Sequence, residues 1–95
     1  MNSKERSKLK ALASTMQPIM QVGKYGISEA LLKSLSDALE ARELVKITVL
    51  DTAEDTPLDT AEFIAEELGA EVVIVMGKKA VLYRPSSRDG FAHLF

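Results

Sequence analysis

Residues 19–50 are IMQVGKYGISEALLKSLSDALEARELVKITVL, a stretch whose pattern sets the topology of the chain. Ile19 to Val22 is a short apolar run cut off from what precedes it by Pro18, and it predicts a strand. Gly23-Lys24-Tyr25-Gly26 follows as a turn. Ser28 then caps a helix, with Ile27 placed to staple onto Leu32. Leu31, Leu32, Leu35, Ala38 and Leu39 recur at the spacing of one buried stripe, which ends near Arg42. From Leu44 to Leu50 the chain alternates around β-branched Val45, Ile47, Thr48 and Val49, a second strand. Strand, helix and strand in that order make a crossover unit, right-handed when its strands are parallel.

The segment before this stretch predicts a helix from about Ser3 to Thr15. Leu9, Leu12, Ala13 and Met16 form its apolar stripe, and Lys4, Arg6, Lys8 and Lys10 lie on its other sides. On the far side, Asp51 to Asp55 is an acidic loop, and Thr56 caps a third helix with Pro57 at its first position. Ala61, Ile64, Ala65 and Leu68 face the core, and Gly69 terminates the helix. Glu71–Met76 and Ala80–Arg84 are strands of a hairpin turned by Gly77-Lys78-Lys79, with Tyr83 in the core. After Pro85 the chain reads as mobile, with Phe91, Leu94 and Phe95 available to dock. The order α-β-α-β-α-β-β predicts an α/β (α+β) two-layer sandwich on a mixed four-stranded sheet. The second and third helices share one face, and the first covers an edge or part of the other. Residues 1–85 form one domain in this reading and 86–95 a C-terminal tail.

The chain has 95 residues, 46% hydrophobic and 27% charged, enough for one core and too apolar for a disordered segment. It has no cysteine, which excludes disulfides, thiolate metal sites and cysteine nucleophiles. No apolar run approaches the roughly 20 residues of a membrane helix, and the N-terminus lacks the apolar core of a signal peptide. A cytoplasmic location is the expectation, with no membrane partner. Net charge is −2, unevenly spread: residues 1–36 carry +4, 37–71 carry −9 and 72–95 carry +3. If the two ends of the chain meet, an acidic protein can still present a basic face.

Catalysis finds little support. His93 is the only histidine and sits near the chain end with no partner to orient it. Asp51, Glu54, Asp55 and Asp59 lack the spacing of a calcium loop, and no phosphate- or dinucleotide-binding glycine pattern occurs. No enzyme, metal or cofactor is expected. The turn at Gly23 to Gly26 is more informative. Two glycines let a ligand backbone approach, the following helix N-terminus favours phosphate, Lys24 adds charge and Tyr25 a flat face. A tight turn could need those glycines for folding alone. Lys78 and Lys79 in the hairpin turn, with Arg84 at the end of its second strand, form a second basic cluster, as compatible with an ordinary exposed turn as with a binding role.

Gln17 to Ser28 with its GxxG turn, the helix from Leu31 to Leu39, Glu43-Leu-Val-Lys-Ile47 and Met76-Gly-Lys-Lys-Ala-Val-Leu-Tyr-Arg-Pro85 together resemble the YhbY-type CRM domain. This is the chloroplast RNA splicing and ribosome maturation family, and the resemblance spans about residues 3 to 85. It implies a fold like the C-terminal domain of translation initiation factor 3. For a stand-alone bacterial member it implies RNA binding, with large-subunit rRNA or a pre-ribosomal particle as partner. A monomer is the expected form. The RNA-contacting GxxG loop maps onto Gly23, Lys24, Tyr25 and Gly26, flanked by Lys4, Lys8, Lys10, Lys33, Lys78, Lys79 and Arg84. The acidic middle is then expected to face away from RNA. The alternative is a protein-interaction module whose acidic face docks a basic ribosomal protein.

Overall fold

The computed structural model describes all 95 residues. Its elements are α1 (Ser3–Ala13), β1 (Met20–Val22), α2 (Glu29–Arg42), β2 (Leu44–Val49), α3 (Pro57–Leu68), β3 (Glu71–Met76) and β4 (Lys79–Tyr83). The sheet order is β1-β2-β4-β3. β1 runs parallel to β2, and β4 lies antiparallel between β2 and β3, so the sheet is mixed and four-stranded as the element order implies. Met20 pairs with Ile47 and Val22 with Val49, while Thr48 pairs with Lys79 and Met76 with Lys79. One end of the sheet, its upper end, therefore gathers the ends of β1, β2 and β3 and the start of β4.

The caps explain the helix limits. Asn2 and Glu5 form a reciprocal capping box at α1. Ser28 Oγ accepts the Leu31 N–H at α2, and Thr56 does the same for Asp59 at α3, with Pro57 first in the helix. Gly69 closes α3 in the left-handed region at φ +64°. α1 stops at Ala13, two residues short of the expected Thr15, and Leu12 stays exposed.

The strand alternation sorts the core into two faces. Val45, Ile47 and Val49 of β2 join Ala80 and Leu82 of β4 under Leu35 and Leu39 of α2 and Ala61 and Ile64 of α3. On the opposite face Leu9 and Ala13 of α1 pack against Leu44, Val73, Val81 and Tyr83. α2 and α3 share one face as the crossover rule requires, and α1 adds a partial third layer. Two charged side chains hold α1 there. Arg6 donates to the carbonyls of Val72 and Val73, and Lys46 Nζ donates to those of Ala13 (3.0 Å) and Met16 (3.2 Å).

The segment after Pro85 is tied down rather than free, contrary to the mobility expected from its composition. Ser86 N–H donates to Glu43 Oε2 at 2.7 Å, Leu94 N–H to Glu43 Oε1 at 2.8 Å, and Ser87 N–H to Glu40 Oε2 at 2.8 Å. His93 Nδ1 also meets the Glu43 carboxylate, and the Phe95 ring packs edge-on to Tyr83 with centroids 5.5 Å apart. Glu43 is fully buried and takes φ +64°, the only residue other than glycine with positive φ. Its backbone ends α2 through Glu43 N–H to Leu39 O, and its side chain anchors the last ten residues. Composition could not show this, because the tail's hold lies in backbone N–H groups meeting two glutamates about 43 to 51 positions away.

Candidate nucleic-acid interface

The Gly23–Gly26 turn stands at the upper end, between β1 and α2. Gly26 N–H donates to Gly23 O at 3.0 Å, closing a four-residue turn. Each glycine has a folding reason. A Cβ on Gly23 would lie 3.3 Å from Leu50 Cδ1 and Thr52 Oγ1, and Gly26 has φ +71° with open space around it. Both glycines thus serve the turn itself, and what the turn displays is Lys24 and Tyr25. Tyr25 is 90% exposed, and Lys24 Nζ sits 5.1 Å from its ring centroid. A tyrosine so exposed contributes nothing to the core. The start of α2 is partly satisfied already, since Ser28 takes one N–H and Glu29 sits at the positive end of the helix dipole.

The hairpin brings its lysines to the same end. Gly77, at φ +58°, and Lys78 make the turn between Met76 and Lys79. Lys78 Nζ pairs with Asp51 Oδ2 at 2.7 Å, both side chains being more than half exposed, so the pair is readily exchanged for another anion. Lys10, in the last turn of α1, lines an open cavity together with Lys79 and Lys46. Lys10, Lys24, Lys78 and Lys79 are therefore all at or beside the upper end.

The other expected contacts go elsewhere. Lys4 is in the first turn of α1, which lies by the start of β3, where the Met1 amino group pairs with Glu71. Lys8 donates to Leu94 O and lies over the Phe95 ring, holding the docked tail. Lys33 is on α2, across the sheet from α1, and pairs with Asp37. Arg84 requires a correction. Its side chain is 16% exposed and donates to Leu68 O (2.9 Å), Ser36 O (3.0 Å), Ser36 Oγ and Glu40 Oε1. It cross-links the end of α3 to α2, and its guanidinium donors are spent inside the protein.

The acidic segment also departs from expectation. Glu54, Asp55 and Asp59 border a cavity of about 400 Å³ that Gly26, Ile27 and Phe63 also line. Acids thus sit beside the GxxG turn instead of facing away, because the β2–α3 loop leaves the sheet at the end where β1 enters that turn. No three acidic or histidine side chains gather as a metal site. No helix is long and apolar enough to cross a membrane.

Sequence reasoning missed Glu43 and Lys46 as buried charges. A signal was present: a lysine within an apolar strand must find acceptors, and here the carbonyls of Ala13, last in α1, and Met16, just beyond it, provide them.

A glycine turn displaying Lys-Tyr before a capped helix, on a mixed sheet in the order β1-β2-β4-β3, invites comparison with known proteins. Residues 1–84 match the CRS1 / YhbY (CRM) domain. The chain belongs to the CRM domain family. It is 35% identical over 89 residues to the probable RNA-binding protein YqeI of Bacillus subtilis, covering 94% of this chain and 93% of that one. It is 33% identical over 86 residues to an RNA-binding protein of Haemophilus influenzae, covering 90% and 87%. The solution structure of SAV1595 from Staphylococcus aureus superposes with a TM-score of 0.77 at 38% identity, covering 94% and 93%. The fold expected of a CRM domain is the fold this chain has.

Proposed function

We propose that this CRM domain binds RNA through the upper end of its sheet, without catalysis, and that its target is large-subunit rRNA in an assembling particle. The observation that carries the reading is Tyr25, 90% exposed beneath Lys24 on the GxxG turn, at the end of the sheet that also holds Lys78 and Lys79. Two relatives named for RNA binding match over most of their length, which supports the same class of ligand. Phosphate contacts from the lysines supply affinity, the turn fixes position, and the Tyr25 ring stacks on a base. The chain works as a cytoplasmic monomer in this proposal. The test is crosslinking of RNA to the tagged protein in cells. Crosslinks concentrated in precursor large-subunit rRNA support the proposal, and crosslinks spread over messenger RNA in proportion to abundance contradict it.

A second reading rests on the acidic cavity, where Phe63 is 49% exposed and shares the lining with Ile27, Ala53, Glu54, Asp55 and Asp59. Apolar side chains among carboxylates suit a lysine- and arginine-rich protein segment. A basic ribosomal protein that binds this chain and is released by Phe63→Ser supports that reading; unchanged affinity in the variant contradicts it.

A further inference from the structure

The face of the sheet beneath α1 is only partly covered. Leu9 and Ala13 press on Leu44, Val73, Val81 and Tyr83, and the row above them stays open. The register sets Gln21 beside Thr48, Thr48 beside Lys79, and Lys79 beside Met76. Val22 and Ile47 point into the core on the α2 side, while Lys46 reaches α1, so alternation turns this whole row toward the α1 side. The row begins two residues before the GxxG turn and ends at a cavity of about 270 Å³ between the last turn of α1 and the β3–β4 hairpin.

Three features of that cavity point to a ligand. Ala13, Ile74, Met76 and Val81 give it apolar walls, and Met76 is 61% exposed. Lys10 and Lys79, both exposed, stand at its rim. Lys46, 9% exposed, lines it as well. Its ammonium has three N–H donors, and two go to Ala13 O and Met16 O. The third has no protein acceptor, and no carboxylate lies within ion-pair distance. An apolar slot with a donor-only cation in its wall and cations at its mouth suits a flat group that carries an acceptor oxygen and is attached to phosphates.

We infer that this cavity takes one unstacked nucleobase of the bound RNA, keto oxygen toward Lys46, with the adjoining phosphates on Lys10 and Lys79. The inference rests on the RNA-binding reading and deepens it. Pockets for drug-sized ligands run from about 300 Å³ upward, so this one, at the small end, suits a single base. Two strand spacings, about 10 Å, separate Gln21 from Lys79, and a strand lying along the row covers that in a few nucleotides. A keto oxygen is present in uracil and guanine and absent from adenine, which sets the expected preference.

The test titrates the full chain with oligouridylate and oligoadenylate of equal length, reading affinity by anisotropy and the cavity by carbon-13 methyl spectra of Ala13, Met76 and Val81. Those methyls should shift in step with oligouridylate binding, and oligouridylate should bind more tightly than oligoadenylate. Ser14→Trp, on the exposed rim, should block the slot and weaken oligouridylate binding about tenfold with the salt dependence unchanged. Met76→Ala, which leaves the core alone, should weaken it about threefold. Binding that shifts the Tyr25 ring but leaves the cavity methyls unmoved, with both variants neutral, overturns the inference while the RNA reading stands. No binding of either oligonucleotide, or of ribosomal RNA, overturns both. Methyl shifts reproduced in full by tripolyphosphate show a phosphate site and also overturn it.

Discussion

Arg84 separates a structural cation from an RNA-binding one, and the expected outcome can be worked out from its contacts. Arg84→Met keeps most of the aliphatic stem and removes the guanidinium, which donates to Leu68 O at 2.9 Å and Ser36 O at 3.0 Å. Hydrogen bonds from a charged donor contribute about 1.5–3 kcal/mol each. The side chain is 16% exposed, so the lower figure applies to each bond, and the loss is roughly 3 kcal/mol in total. Glu40 keeps its Ser86 and Ser87 partners and adds little to that loss. Stability of about 5–15 kcal/mol leaves the variant folded at low temperature. For a chain of this size each kcal/mol moves Tm by about 4–8 °C, so the melt should fall by roughly 12–24 °C. Melting followed by far-ultraviolet circular dichroism measures this, and RNA affinity is taken in the cold, where the variant is still folded. Affinity should match the parent. Arg84→Lys should melt almost as low, because one ammonium cannot span two carbonyls on different helices. A variant that melts with the parent yet binds RNA more weakly, and is rescued by lysine, would refute the assignment.

Gly26→Ala places a Cβ in open space at φ +71°, so its cost is backbone strain of about 1–2 kcal/mol and Tm should drop by roughly 5–15 °C; an unchanged melt contradicts the strained turn. Asp51→Asn frees Lys78 from its 2.7 Å ion pair and removes a nearby negative charge, so RNA affinity should rise about threefold in titrations at low salt, and a fall would place Lys78 away from RNA. Acid should release the tail. Hydrogen bonds from the Ser87 backbone and hydroxyl hold the Glu40 carboxyl below its ordinary 4.5, and at Glu43 burial acts upward but is outweighed by bonds from His93, Ser86 and Leu94. A carboxylate depressed by folding contributes stability that is complete above its unfolded value and lost as pH falls through the folded one, so residues 86–95 should undock below about pH 4.5. Phe95 and Tyr83 ring signals in NMR spectra report it, and signals unchanged through that window contradict the role of the two glutamates.

The fold was legible where local chemistry and long-range packing agree. Ser28, Thr56 with Pro57, and Gly69 mark helix ends by groups within a turn of the boundary, so the sequence alone locates them. The β-branched alternation of Leu44 to Val49 gave β2, and the same alternation hid Lys46, because a period of two says which face a residue takes and not which carbonyl awaits it. The tail failed for the same reason on a larger scale. Ser86, Ser87 and Gly90 are turn formers in isolation, and only the carboxylates of Glu40 and Glu43, brought near by the end of α2, give their N–H groups a partner. At the candidate site, the GxxG turn and hairpin lysines could be read directly, since turn chemistry is local. Arg84 was misjudged because a basic residue after an apolar strand looks alike in sequence whether it points to solvent or across two helices. Charge blocks likewise could not show that the loop carrying Glu54 and Asp55 leaves the sheet beside Gly26.

In the proposed binding mode, RNA is held at the upper end of the sheet by phosphate contacts from Lys10, Lys24, Lys78 and Lys79. The most direct test of that mode is the salt dependence of binding to a structured fragment of large-subunit rRNA, for the parent and for the Lys24→Ala/Lys79→Ala double variant. Four contacts at about 0.7 per phosphate, the single-strand value, predict that log affinity against log salt falls with a slope of roughly −3. The double variant should retain a slope of about −1.4, with weaker binding to every RNA sequence alike. A flat response in the parent, or a slope the double variant leaves unchanged, would rule this binding mode out.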